Sequence, residues 1–167
     1  MIGQAAKNFT LPDLEGIQHS LAGYQGRVVI LNFWSAECPW SERADRKLAE
    51  LRSVWGEPVV VLSIASNAGE SVEMRRAVSA ERELPTLLLD ARQNVADLYQ
   101  AVTTPHIFII DRRGVLRYQG AFDDTTFRQR QPTRCYVQEV VDALLAGLEP
   151  DVTQVSPYGC TIVRNLR

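Results

Sequence analysis

The chain has 167 residues, with 18 Lys and Arg against 20 Asp and Glu for a net charge of −2. It is 46% hydrophobic and 23% charged, the balance of one globular domain that buries a core without staples. The near-neutral charge supplies no field for nucleic acid or an anionic membrane, and no apolar run approaches the roughly 18 residues of a spanning helix.

Residues 1–26 form an N-terminal extension. No apolar signal core lies in Met1 to Ala6, so the protein is cytoplasmic, or exported if a signal was removed before residue 1. Phe9 to Asp13 and Ile17 to Ser20 flank the turn residues Glu15 and Gly16, which predicts a short hairpin. Arg27 to Trp34 is a continuous β-branched and aromatic run, the pattern of a strand covered on both faces. Apolar residues then recur at Trp40, Ala44, Leu48, Leu51 and Trp55, a helix with Pro39 at its first position and Cys38 as N-cap. Gly56 and Pro58 close it.

Val59 to Ile64 is a second buried strand. A weaker helix is predicted over 70–83, a strand over 86–89 and a helical turn or two over 95–99. His106 to Ile110 and Val115 to Gln119 form a hairpin through Arg112-Arg113-Gly114. Asp123 to Pro132 is a polar loop, in which Asp123 and Asp124 are candidate loop caps. The last helix is predicted from near Thr133, with Val137, Val140, Val141, Leu144 and Leu148 as its stripe and Cys135 on its polar side. Residues 150–167 are a C-terminal tail without helical pattern. Arg75-Arg76 and Arg112-Arg113 are expected to be solvated pairs. The order of elements predicts a mixed central β-sheet flanked by helices, an α/β fold.

Cys38 carries the sharpest chemical signal. The N–H groups and macrodipole of a helix start favour a thiolate there, which lowers its pKa and raises its reactivity. The bland alternative is a buried, inert thiol. Three cysteines leave at least one without an intramolecular partner, and two histidines argue against a multi-His metal site.

Asn32 to Ser41 resembles the active-site strand and helix start of the thioredoxin-like superfamily. Thr103 to Asp111, with Gly114 and Tyr118-Gln119-Gly120, is similar to the cis-proline loop and hairpin of its redoxin branch, which holds the AhpC/TSA peroxiredoxin-like proteins and membrane-tethered thiol–disulfide reductases. Phe9 to Asp13 and Gly120 to Asp124 belong to the same likeness, and Pro157 to Ile162 resembles the terminal Gly-Cys motif of a peroxiredoxin-like subgroup. The resemblance implies a three-layer thioredoxin-like fold with an N-terminal β-hairpin extension. It implies a thiol–disulfide oxidoreductase in which Cys38 attacks a protein or small-molecule disulfide while Thr104 and a cis Pro105 orient the substrate chain. An external thiol supplies electrons, and neither metal nor organic cofactor is implied.

The departures from the family pattern shape the mechanism. The dithiol motif reads Cys38-Pro39-Trp40-Ser41, and Ser41 cannot resolve a mixed disulfide, though its hydroxyl can bond the Cys38 thiolate. Asn32 stands where thioredoxins place a buried, proton-accepting Asp. Glu37, if close, opposes the helix end and raises the Cys38 pKa. Cys160, in a flexible-looking tail, and Cys135 are the candidate resolving thiols; a packed terminal strand, or a structural Cys135–Cys160 pair, are the other readings. His106 either titrates near Cys38 or packs away from it. Trp34 is expected as a wall of the site, and Trp40 as core or as substrate face.

Two other functions stay open. A peroxiredoxin-like thiol peroxidase would act on a peroxide, but Leu31 replaces the family's Pro, Ser35 its Thr and Pro105 its peroxide-orienting Arg. A non-catalytic binding module would have retired the redox chemistry. Copper delivery would need a second cysteine at position 42, which is Glu42.

Overall fold

The computed structural model describes residues 1–166. Asp13 builds the first turn. Its carboxylate accepts from the amides of Glu15 and Ile17, at 2.8 and 3.0 Å, so that β1 (Thr10–Pro12) and β2 (Gln18–Ser20) pair antiparallel. Every residue of β3 (Val28–Trp34) is buried. Pro39 opens helix α1 (Pro39–Trp55), with Cys38 as N-cap, and Gly56 closes it. β4 (Val59–Ala65), again buried throughout, lies parallel to β3.

Helix α2 (Val72–Glu81) is shorter than its apolar pattern suggests. Ser71 caps it by accepting from the Met74 amide, and Glu70 is left outside the helix with its carboxylate free to turn inward. β5 (Leu87–Leu89), α3 (Asn94–Tyr99), β6 (Thr103–Thr104), β7 (His106–Ile110) and β8 (Leu116–Gly120) follow. Helix α4 (Tyr136–Leu145) starts later than expected, because Asp124 accepts from the amides of Thr133 and Arg134 and holds them as loop. Those bonds hold the Asp124 carboxyl down at about 2, led by the Thr133 hydroxyl. Leu148 lies beyond the helix and is exposed, so it does not extend the stripe.

The tail forms β9 (Gln154–Val155) and β10 (Cys160–Thr161). Among the described residues the main sheet has the order β5-β4-β3-β7-β8-β9; β7 is antiparallel to β3 and β8, and the other pairs are parallel. On one face Val29, Leu31 and Phe33 pack with Phe9, Leu21, α3 and Phe108. On the other, Val28 and Ile30 meet α1 and α4. Two covered faces explain why β3 and β4 read as nearly continuous apolar runs, interrupted by Asn32 and Ser63. No helix among the described residues is long and apolar enough to cross a membrane.

β9 reaches the sheet only because residue 120 lacks a side chain. Gly120 has φ of 138°, and a Cβ there would run into the Val155 carbonyl of its paired strand. Gly120→Ala is therefore expected to detach β9 and cost more than about 1 kcal/mol. Urea unfolding checks this, together with faster proteolysis between residues 150 and 155; unchanged stability would mean that the β8–β9 pairing contributes nothing.

Candidate active site

Cys38 is 2% exposed at the start of α1. It is disulfide-bonded to Cys160, 122 residues away, with the two Cα atoms 6.1 Å apart. The tail is thus a packed strand whose cysteine also reaches Cys38. Residues 160–161 pair antiparallel with β6, placing Cys160 opposite Thr104. The Thr104–Pro105 bond is cis. The Thr104 carbonyl oxygen lies 3.1 Å from Cys38 Sγ, where a reduced, protonated thiol donates to it. Cys38, Thr104, Pro105 and Cys160 therefore come together at one point, at a helix end that favours a sulfur anion.

Cys135 stands apart from that group. It is the N-cap of α4 and half-buried against the α1–α4 core, not on a polar helix face, because the helix begins one residue after it. Burial pushes its thiol up to about 11, so it stays protonated and unreactive at neutral pH. The Cys135–Cys160 pairing is overturned: Cys135 is the free thiol and Cys160 is bonded to Cys38.

Ser41 is fully buried, and its hydroxyl accepts from the Ser35 amide at 3.2 Å. In this disulfide state it pins the segment before Cys38, in place of the expected bond to the sulfur. Glu37 is exposed beside Cys38. Trp34 is fully buried with its indole N–H on Asp45, so it is a wall behind the site. Trp40 is half-exposed and meets Tyr158 of the tail edge-on, 5.0 Å between centroids, with Arg43 over its ring.

The segment between β3 and α1 is held from several sides. The Ser35 hydroxyl donates to Glu70, which also accepts from the Ala36 amide at 3.0 Å and from Asn67 at 2.8 Å. Arg82 donates to the carbonyls of Ser35 and Ala36, at 3.2 and 2.6 Å. Asn67 accepts in turn from the Val163 amide at 2.6 Å, so one side chain links this loop to the tail. Arg75 is buried and donates to the Asn67 carbonyl at 2.8 Å, where solvation was expected; Asn67 needs a donor on that side.

Asp45 was not singled out by sequence. It lies in α1 beneath the site and is bonded by Trp34 Nε1 at 2.6 Å, Arg82 at 3.2 Å and Asn32 at 3.4 Å. Desolvation outweighs these donors and pushes its carboxyl up to about 6. Ser41, Asp45 and Leu48 recur at helical spacing on the buried side, which is the signal that marks it. The buried carboxyl that Asn32 lacks is thus supplied from the facing helix.

A model of the AhpC/TSA family matches residues 2–119. The chain belongs to the AhpC/TSA family. Thiol-disulfide oxidoreductase ResA of Geobacillus thermodenitrificans is 33% identical to this family member over 118 residues, covering 70% of the chain and 67% of that relative. A hypothetical protein from Sinorhizobium meliloti has a crystal structure that matches with TM-score 0.90 and 31% identity, covering 100% of this chain and 96% of its own, the tail included. The thioredoxin domain of a thiol-disulfide oxidoreductase from Bacteroides vulgatus matches with TM-score 0.64 at 21% identity, over 78% of this chain and 92% of its own. This AhpC/TSA member therefore has the thioredoxin fold.

His106 packs away from Cys38. It stacks on Phe108 with centroids 4.7 Å apart, and its Nδ1 accepts from the Val102 amide at 3.2 Å. Burial lowers its pKa from 6.5 to about 4, so the unfolded chain takes up that proton first and acid costs stability. Asp45 acts in the opposite direction: raised from 3.8 to about 6, it is protonated first in the folded chain, and acid adds stability. The two slopes oppose each other between about pH 4 and 6. His106→Gln is expected to leave the Asp45 slope alone. Its stability relative to the wild type should then rise as pH falls from 6.5 to 4, by on the order of 3 kcal/mol at the acid end. Urea midpoints against pH read the difference; a gap that does not move with pH would refute a buried, neutral His106.

Proposed function

We propose that the protein is a thiol–disulfide oxidoreductase in which Cys38 is the nucleophile and Cys160 the resolving thiol. The Cys38–Cys160 disulfide across the helix start and the cis-proline edge carries this reading. The Cys38 thiolate attacks one sulfur of a substrate disulfide. A Cys38–substrate bond forms, the substrate bond breaks, and the other substrate sulfur leaves as a thiol. The Cys160 thiolate then attacks Cys38 Sγ, releasing the second substrate sulfur and leaving the oxidised pair. An external dithiol reduces that pair and restores both thiols.

Ser41, Glu70 and Arg82 position the Cys38 segment, and Thr104 with Pro105 forms the edge along which a substrate chain lies. Thiol peroxidase activity has weaker support, since Pro105 occupies the place of the peroxide-orienting Arg. The Arg82 guanidinium, meanwhile, is engaged by Asp45 and two carbonyls.

Fully reduced protein with one equivalent of bis(2-hydroxyethyl) disulfide is the test. The wild type is expected to lose two hydrogens and to give a peptide joining Cys38 to Cys160. Cys160→Ser should stop at a stable mercaptoethanol adduct on Cys38, with Cys135 unmodified. A wild-type adduct that persists on Cys38 would remove Cys160 as resolving thiol. A Cys38 that stays unmodified, while the unfolded chain reacts, would remove the nucleophile.

A further inference from the structure

The tail does more than deliver a sulfur: it fills the groove beside Cys38 as a bound peptide would. Cys160 and Thr161 pair in extended form with Thr104 and Thr103. Immediately before them, Gly159 lies flat on the cis-proline edge. A Cβ at that position would overlap the Thr104 carbonyl and come within 3.1 Å of Pro105 Cδ. One residue earlier, Tyr158 packs edge-on against Trp40 and accepts from the Phe127 amide at 2.9 Å. Trp40, Pro105, Phe122, Thr125 and Tyr158 enclose a crevice with only about 10 Å³ left over. The fit is nonetheless incomplete on the polar side, because the buried Thr104 hydroxyl has no hydrogen-bond partner.

Each position of the tail thus meets a distinct demand. Opposite Thr104 stands a cysteine, whose sulfur reaches Cys38. The residue before it must be glycine, since no side chain fits. The residue before that is an aromatic, for which Trp40 and Phe122 supply a wall and the Phe127 amide a donor.

We infer that this groove is a polypeptide-binding site, selective for extended segments in which aromatic–glycine–cysteine leads into the disulfide to be reduced. The inference rests on the reading of Cys38 as nucleophile and adds the substrate class to it. Tail and substrate compete for one edge, since residues 160–161 already occupy the side of Thr103 and Thr104 that lies at Cys38. The tail must therefore leave before a substrate chain enters, and its return expels that chain as Cys160 attacks Cys38. Resolution and product release become a single strand exchange.

The test uses full-length, reduced Cys160→Ser and the symmetrical disulfide of the peptide Ser-Pro-Tyr-Gly-Cys-Thr-Ile, which copies residues 156–162. Cys38 attacks it, one peptide becomes bonded to Cys38 and one departs as a thiol that can be counted. The comparison peptides carry Ala for the Tyr or Val for the Gly, and bis(2-hydroxyethyl) disulfide reports the intrinsic reactivity of Cys38. Either replacement is expected to slow the peptide reaction at least tenfold. In a second variant, Gly159→Val with Cys160→Ser, the tail is pushed off the edge. The parent peptide should then react several-fold faster, and its gain should exceed that of the small disulfide, which reports only the uncovering of Cys38. Equal rates for all peptides, with normal reaction of the small disulfide, would overturn the groove and leave the nucleophile standing. Failure of every disulfide at Cys38 would overturn the functional reading itself.

Discussion

The approach of the tail to the cis-proline edge governs most of what this molecule can do. Residues 160–161 are a strand of minimal length, and such pairing is weak on its own. It holds because neighbours share the work. Ile162 is buried in the core, Asn67 and Gln93 engage the backbone of Val163, and Gly120 admits β9 on the far side. The disulfide then closes a loop of 122 residues, which in chain-entropy terms contributes about 4–5 kcal/mol. Reduction removes that contribution and leaves only the weaker contacts.

The segment before Cys38 is treated in the opposite way. Glu70, Ser41 and Arg82 hold Ser35 and Ala36 through buried or half-buried bonds, none of which involves Cys38 or Cys160. These bonds do not depend on the disulfide, so under the proposed mechanism the Cys38 segment is held independently of Cys160. Asp45 is part of the same support. Its carboxyl is buried against an Arg, a Trp and an Asn, and removing one partner of such a charge pair commonly costs about 3–5 kcal/mol. Asp45 and His106 titrate with opposite effects on stability in the mildly acidic range, so their two contributions partly offset each other.

The elements that position the site were legible in the sequence where their signals are local. β3 and β4 read as nearly continuous apolar runs because both faces are covered. α1 read from its spacing, with Pro39 and Gly56 at its ends. Cys38 stood out because a cysteine at a strand-to-helix junction meets a helix N-terminus. Four features were not legible, each for a physical reason. The late start of α4 depends on Asp124 reaching residues nine and ten positions ahead. The burial of Arg75 depends on a carbonyl in the preceding loop. The pairing of β10 with β6 joins segments of two residues each, too short for any alternation to show. Asp45 hid beside an apolar stripe that already accounted for the helix.

Ser41 ties these observations together. In a Cys-x-x-Cys protein the second sulfur sits one helical turn from the first and needs no motion to attack. Here that position is fully buried, and its hydroxyl is committed to the Ser35 amide. A resolving thiol carried by the helix is always present, whatever occupies the groove. A resolving thiol carried by the tail is present only when the groove is free of anything else. The two designs differ in when the mixed disulfide can be resolved. The first resolves as soon as the bond forms, whereas the second waits until the substrate strand begins to peel from Thr103 and Thr104. Under the proposed mechanism, placing Cys160 on the competing strand would give a bound polypeptide a lifetime on Cys38 set by strand exchange, not by thiol chemistry alone.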